Sequence, residues 1–153
     1  MDNLKMVIPG KPEYITMIRL ATGSLAAKAG FDLEACEEIK MAVSEACKNV
    51  SCHGEACYSD KYELDFIVEN GSFEVTVIDA CDCHTIEKTG PRCRQCPQEG
   101  EIGAIMIRSL MSCVEIGSDA NGHKYINMER RTRQNANSLK STEQSPPPKS
   151  ATR

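Results

Sequence analysis

Two runs of apolar-rich sequence, residues 61–69 and 72–79, are separated by nothing but Asn70-Gly71. Asn-Gly between such runs is the strongest short-range hairpin signal. Leu64, Phe66, Ile67, Val68, Phe73, Val75, Val77 and Ile78 then give the hairpin an apolar surface that something must cover. The cover lies upstream. Asp32 reads as the N-cap of a helix from Leu33 to about His53, in which Leu33, Cys36, Ile39, Val43, Ala46, Cys47 and Val50 form one stripe at about 100° per residue. A helix with a single continuous stripe packs on a flat partner, so helix and hairpin predict each other.

The remaining elements follow from the same patterns. Lys5 to Ile8 is a strand candidate closed by Pro9-Gly10. Lys11 to Ala29 carries Tyr14, Ile15, Ile18 and Leu25 at helical spacing and stops before Gly30. Residues 80–99, poor in large aliphatics, read as a loop; Ile102 to Cys113 reads as a third helix. Val114 to Gly117 and Lys124 to Met128 are two further strands joined through Asp119-Ala120-Asn121-Gly122. Hairpins in place of alternating βα units predict an α+β fold: a two-layer α/β sandwich whose mixed, mostly antiparallel sheet is covered on one face by about three helices.

With 153 residues the chain has room for one ordinary domain. From Arg130 onward large apolar side chains all but vanish, Leu139 excepted, and Pro146-Pro147-Pro148 appears. Such a segment cannot bury enough surface to offset its ordering entropy, so the expected division is a domain over 1–129 and a disordered basic tail over 130–153. The tail holds six Lys/Arg against Glu143 alone, which leaves the domain with 12 basic and 21 acidic residues. That acidity argues against general nucleic-acid binding, which needs a cationic surface. Met1-Asp2-Asn3-Leu4-Lys5 is not the start of a secretory leader, and no apolar run approaches the roughly 20 residues that span a bilayer. The expected location is the cytoplasm, with no membrane partner and with nine cysteines kept largely reduced.

Glu45 and Asn49 are four residues apart on the second helix, and hence one turn apart on one face, turned away from the apolar stripe. A carboxylate and a carboxamide so placed suit a general base and a hard oxygen ligand for Mg²⁺; many solvated helix faces carry the same pair. Asp79 closes the second hairpin strand, where a carboxylate can accept a hydrogen bond from an exocyclic amine such as that of adenine. Gly100-Glu101-Ile102-Gly103 precedes the third predicted helix, where small residues and free backbone N–H groups suit phosphate.

Taken in order, the string Ala42-Val43-Ser44-Glu45-Ala46-Cys47-Lys48-Asn49, the opening Ile8-Pro9-Gly10-Lys11-Pro12-Glu13-Tyr14 and the string Glu99-Gly100-Glu101-Ile102-Gly103-Ala104-Ile105-Met106 resemble the GHKL, or histidine-kinase-like, ATPases. The branch resembled is that of the anti-sigma-factor serine kinases of the RsbW and SpoIIAB type, and the resemblance spans nearly all of residues 4–129. It implies a Bergerat-type ATPase fold and ATP with Mg²⁺ as cofactors. By the same resemblance Glu45 would polarise an attacking hydroxyl, Asn49 would bind Mg²⁺, Asp79 would read adenine, and Gly100 with Gly103 would flank the triphosphate. Arg19 would face partners. The implied activity is phosphorylation of a serine on an anti-anti-sigma protein of the STAS class, alongside sequestration of an RNA polymerase sigma factor by a homodimer, as in bacterial stress-response circuits.

Three positions depart from that pattern. Cys81 stands where the family has glycine, Glu101 where it has a second glycine, and Lys124 about where it has threonine. A catalytically degenerate anti-sigma binding protein is therefore the alternative to a kinase. The cysteines offer a third reading. Cys81-Asp82-Cys83-His84 and Cys93-Arg94-Gln95-Cys96 fall in the segment that, by resemblance, covers the nucleotide, and Cys81, Cys83, His84, Cys93 and Cys96 form a ligand set suited to Zn²⁺ or an iron–sulfur cluster. They equally suit a thiol switch or unligated thiols. Cys36 and Cys47 belong to the apolar stripe and read as packing residues.

Overall fold

The structure, a computed structural model, describes residues 1–50, 61–79, 96–121 and 123–132. The chain runs β1 (Asp2–Pro9), a 3-10 turn (Pro12–Tyr14), α1 (Ile15–Lys28), α2 (Leu33–Val50), β2 (Lys61–Glu69), β3 (Ser72–Asp79), α3 (Cys96–Leu110), β4 (Cys113–Ser118) and β5 (Lys124–Arg131). The five strands form one sheet in the order β1-β2-β3-β5-β4. Every neighbouring pair is antiparallel, so the mixed sheet expected from sequence is wholly antiparallel among the described strands.

The Asn70-Gly71 hairpin forms with Glu69 opposite Ser72, and Gly71 takes φ 79°, the left-handed region that a Cβ would penalise. Its tip is tied into the domain, because the Gly71 amide donates to the Ala29 carbonyl at 2.7 Å and the Thr132 amide donates to the Gly71 carbonyl at 2.9 Å. Alternation then sorts the strands. Tyr62, Leu64, Phe66, Val68, Phe73, Val75, Val77, Ile126 and Met128 are buried under the helices, while their neighbours Glu63, Asp65, Glu74, Thr76 and Asn127 face outward. Phe66 and Phe73 meet at the centre with ring centroids 6.0 Å apart and a tilt of 60°, a favourable aromatic geometry.

Asp32 caps α2 as predicted, its Oδ1 accepting the Ala35 amide at 2.8 Å. Cys36, Ile39, Val43, Ala46, Cys47 and Val50 are all buried, but Leu33 is exposed, since it sits at the first helical position, outside the packed turns. Gly30 closes α1 at φ 85°, and the chain reverses into α2 through backbone bonds from Gly30 to Ala27 and from Phe31 to Ala26.

Several boundaries differ from the sequence reading; α1 starts at Ile15, not Lys11, behind the 3-10 turn. β1 starts at Asp2, not Lys5. α3 spans Cys96–Leu110 instead of Ile102–Cys113: Pro97 lies in its first turn, where the missing N–H has no intrahelical partner to lose, and Cys113 opens β4. β5 continues to Arg131, three residues beyond the end expected at Met128, because the alternation of Ile126 and Met128 extends to Arg130.

Burial leaves one polar atom unmet among the described residues: the Thr22 hydroxyl of α1 is fully buried without a hydrogen-bond partner. Thr22→Val keeps the shape and removes the unpaired group, so it is expected to raise stability by about 1 kcal/mol. A higher denaturation midpoint at unchanged slope would show this; a lower one would mean that the hydroxyl is satisfied in solution.

Candidate functional site

The second half of α2 places Glu45 and Asn49 where their spacing said they would be, one turn apart on one face. Asn49 Nδ2 donates to the Glu45 backbone carbonyl at 2.8 Å and to Glu45 Oε1 at 3.0 Å. This double anchor fixes the carboxamide and leaves Oδ1 as an oxygen donor. Lys48, three residues along from Glu45, approaches its other oxygen at 3.3 Å. The Glu45 side chain is about one-fifth exposed, accessible to a substrate yet shielded on the helix side. Sequence reading had not paired Lys48 with Glu45, although the i,i+3 spacing was there to find.

Gly103 acquires a different reason for being glycine than the one expected. Within a helix that opens at Cys96, the amides of Gly100 and Gly103 serve the helix ladder and are not free N–H groups ahead of it. What Gly103 provides is space: a Cβ there would lie 2.1 Å from Asn49 Nδ2 and 2.8 Å from Asn49 Oδ1. α3 therefore approaches α2 backbone-first at the Asn49 carboxamide. Glu101 is exposed, so its carboxylate is turned out of the contact that Gly103 makes.

Asp79 ends β3 opposite Tyr62 and is 2 % exposed. By strand alternation it shares the helix-covered face with Val75 and Val77, against which α2 packs. This strand-end position is the one that the sequence reading gave to an adenine-reading carboxylate. The structure thus joins Glu45, Asn49 and Gly103 in one contact set and places Asp79 on the same side of the sheet.

The donor set fits Mg-ATP. Asn49 Oδ1 is a hard, oriented oxygen, the missing side chain at Gly103 makes room for the Asn49 carboxamide, and Asp79 is a buried carboxylate on the same side of the sheet. The soft-ligand reading finds no support in the described part: among the described residues no group of three or more His, Cys, Asp or Glu side chains is assembled to hold a metal. Cys81, Cys83, His84 and Cys93 lie outside the described residues, and Cys96 begins α3. Cys36 and Cys47 are buried packing residues, and burial pushes the Cys47 thiol up from 9.0 to about 12, so it is chemically quiet.

Arg19 stands elsewhere, on the outer face of α1. It lines a groove of about 430 Å³ between α1 and α2 together with Leu20, Phe31, Leu33, Glu37 and Lys40. Lys40, bonded to Glu37 at 2.6 Å, holds that carboxyl below its ordinary value, and the Arg19 charge adds to the effect. Leu20 and Leu33 are exposed on the groove, an apolar pair with charges at its rim. Among the described residues no helix is long and apolar enough to cross a membrane.

The histidine kinase-like ATPase domain family matches residues 8–129. The serine-protein kinase RsbW of Bacillus pumilus (strain SAFR-032) is 30% identical over 84% of this chain and 89% of its own length. The protein of the same name from Oceanobacillus iheyensis is 32% identical over 76% of this chain and 80% of its own. A crystal structure of the RsbU and RsbW domains of Rv1364c from Mycobacterium tuberculosis superposes with a TM-score of 0.59 over 86% of this chain at 19% identity, which speaks for the fold; the match takes up 32% of that longer chain. The chain belongs to the histidine kinase-like ATPase family, in the branch of the serine-protein kinase RsbW.

Proposed function

We propose that this chain is an anti-sigma factor and protein serine kinase: as a homodimer it sequesters an RNA polymerase sigma factor, and with Mg-ATP it phosphorylates a serine of a STAS-class anti-anti-sigma protein. The observation that carries the reading is the clasp of Glu45 and Asn49 against Gly103, which holds a carboxylate and an amide oxygen in a set orientation where α3 meets α2 backbone-first. Mg-ATP, when bound, supplies the transferable phosphoryl group and the charge neutralisation. The protein's part is positioning. Asn49 Oδ1 holds the cation, Asp79 accepts a hydrogen bond from the purine amine, and the α3 backbone around Gly100 and Gly103 borders the phosphates. Glu45 accepts the proton of the serine hydroxyl as its oxygen is phosphorylated.

Glu101 is exposed, which leaves its carboxylate room to turn away from a bound phosphate and is compatible with the kinase reading. The apolar groove with Arg19 at its rim supports a partner surface on α1, separate from the clasp.

Incubation with Mg-ATP and the STAS-class partner is expected to yield one phosphoserine on that partner, identified by mass spectrometry. Arg19→Ala is expected to weaken sigma-factor binding about tenfold or more, as loss of an interface arginine commonly does, with ATP affinity unchanged. Tight ATP binding without any transfer would overturn the kinase half of the proposal, and unchanged sigma affinity in Arg19→Ala would overturn the surface.

A further inference from the structure

Arg130, the seventh residue of β5, reaches off the sheet into the helical layer. Its Nη1 donates to the carbonyl of Leu110, the last residue of α3, and its Nη2 donates to Glu38 Oε2 on α2 at 2.6 Å. Both partners of this ion pair are about one-quarter to one-third exposed. The C-terminal carbonyls of a helix lack intrahelical donors and carry partial negative charge, so a guanidinium there meets an acceptor and the helix dipole together. Its planar fork lets it hold the carbonyl and the carboxylate at once, which a lysine cannot do in the same geometry.

The other end of α3 is held by the Gly103 contact with Asn49. Glu38 and Asn49 are eleven residues apart on α2, Gly103 and Leu110 seven apart on α3, and the pairings run in opposite directions. The two helices are therefore antiparallel and fastened at two points, one at the clasp and one at Arg130, with Ile107 buried between. Loosening the second point lets α3 pivot or slide along α2, and the first element to feel it is the Gly103 backbone against the Asn49 carboxamide.

We infer that Arg130 is a positioning residue for the nucleotide: through Leu110 and Glu38 it sets the seat of α3 on α2 and hence the geometry at Asn49. This rests on the nucleotide reading of the clasp. Two variants and two measurements test it. Arg130→Met removes both bonds, and Arg130→Lys keeps the charge but holds one partner at most. Hydrogen exchange of the nucleotide-free protein is expected to be faster across residues 103–110 in Arg130→Met. Its KM for ATP, and its Kd for ATP in direct titration, are expected to rise about 3- to 30-fold at little-changed kcat, with Arg130→Lys in between.

A residue that only supports the fold would act otherwise. It would lower the active fraction, reducing kcat at every ATP concentration and leaving KM alone; that pattern, or exchange and ATP affinity both equal to wild type, overturns the inference. If the wild-type protein binds no ATP, the nucleotide reading falls and the coupling with it. Exchange across α3, read without nucleotide, separates that failure from a failure of the Arg130 fastening itself.

Discussion

Glu45→Ala is expected to reduce phosphoryl transfer to the partner serine by about 10²- to 10⁴-fold, the usual contribution of a positioned general base. The carboxylate is one-fifth exposed and fixed by Asn49 and Lys48, so it is presented to solvent in a set orientation. Its loss removes no core packing, and melting is expected to move little. ATP affinity should persist, since the Asn49 side chain keeps its bond to the residue-45 backbone carbonyl in the variant. Sigma-factor binding should persist too, because Arg19 and its groove lie on α1 and the first turns of α2. Transfer at the wild-type rate would remove Glu45 from the mechanism, and loss of both ATP and sigma binding would mean that the variant had misfolded.

Gly103→Ala is the second large effect, and it separates activity from stability. A Cβ 2.1 Å from Asn49 Nδ2 and 2.7 Å from its Cγ cannot be accommodated by small adjustments. Either Asn49 abandons its two bonds to Glu45, or α3 backs away from α2 by about an ångström. Displacement on that scale at a catalytic centre costs about 10²-fold. Alanine is the better helix former by about 1 kcal/mol, so part of the clash is offset and the protein is expected to stay folded. Adding Asn49→Ala makes room for the new methyl and should recover the melting temperature without recovering transfer. Full activity in Gly103→Ala would show that the close approach is unimportant in solution, and the clasp would lose its role.

Much of this architecture was legible in the chain because it is local. The hairpin, the Asp32 cap and the α2 stripe depend on spacing within one or two turns, and their ends were read to the residue at Lys61–Glu69 and Ser72–Asp79. The Glu45–Asn49 pair was legible for the same reason. Leu33 falls on the stripe yet stays exposed, because periodicity says which side a residue faces, not whether anything is packed there. The true start of α3 is hidden in the sequence because Pro97 and two glycines look like loop when taken one at a time, whereas a first-turn proline and a glycine pressed against another helix are both compatible with the element. The purpose of Gly103 and the reach of Arg130 depend on which helix lies across the gap. No single-chain pattern encodes that, although continued alternation through Ile126, Met128 and Arg130 marks the arginine as facing inward.

The way the hairpin tip is tied down has a practical consequence for labelling. Thr132 donates to Gly71, and Arg131 stands opposite Ser72, so the last described residues of the chain lie at the turn end of β3. Asp79 marks the opposite end of that strand, seven residues away, which at about 3.3 Å per residue is about 23 Å. A fluorophore or affinity handle attached at Thr132 would therefore sit far from Asp79, the proposed adenine-reading carboxylate, and the same separation gives a reference from which distances to a labelled nucleotide can be measured.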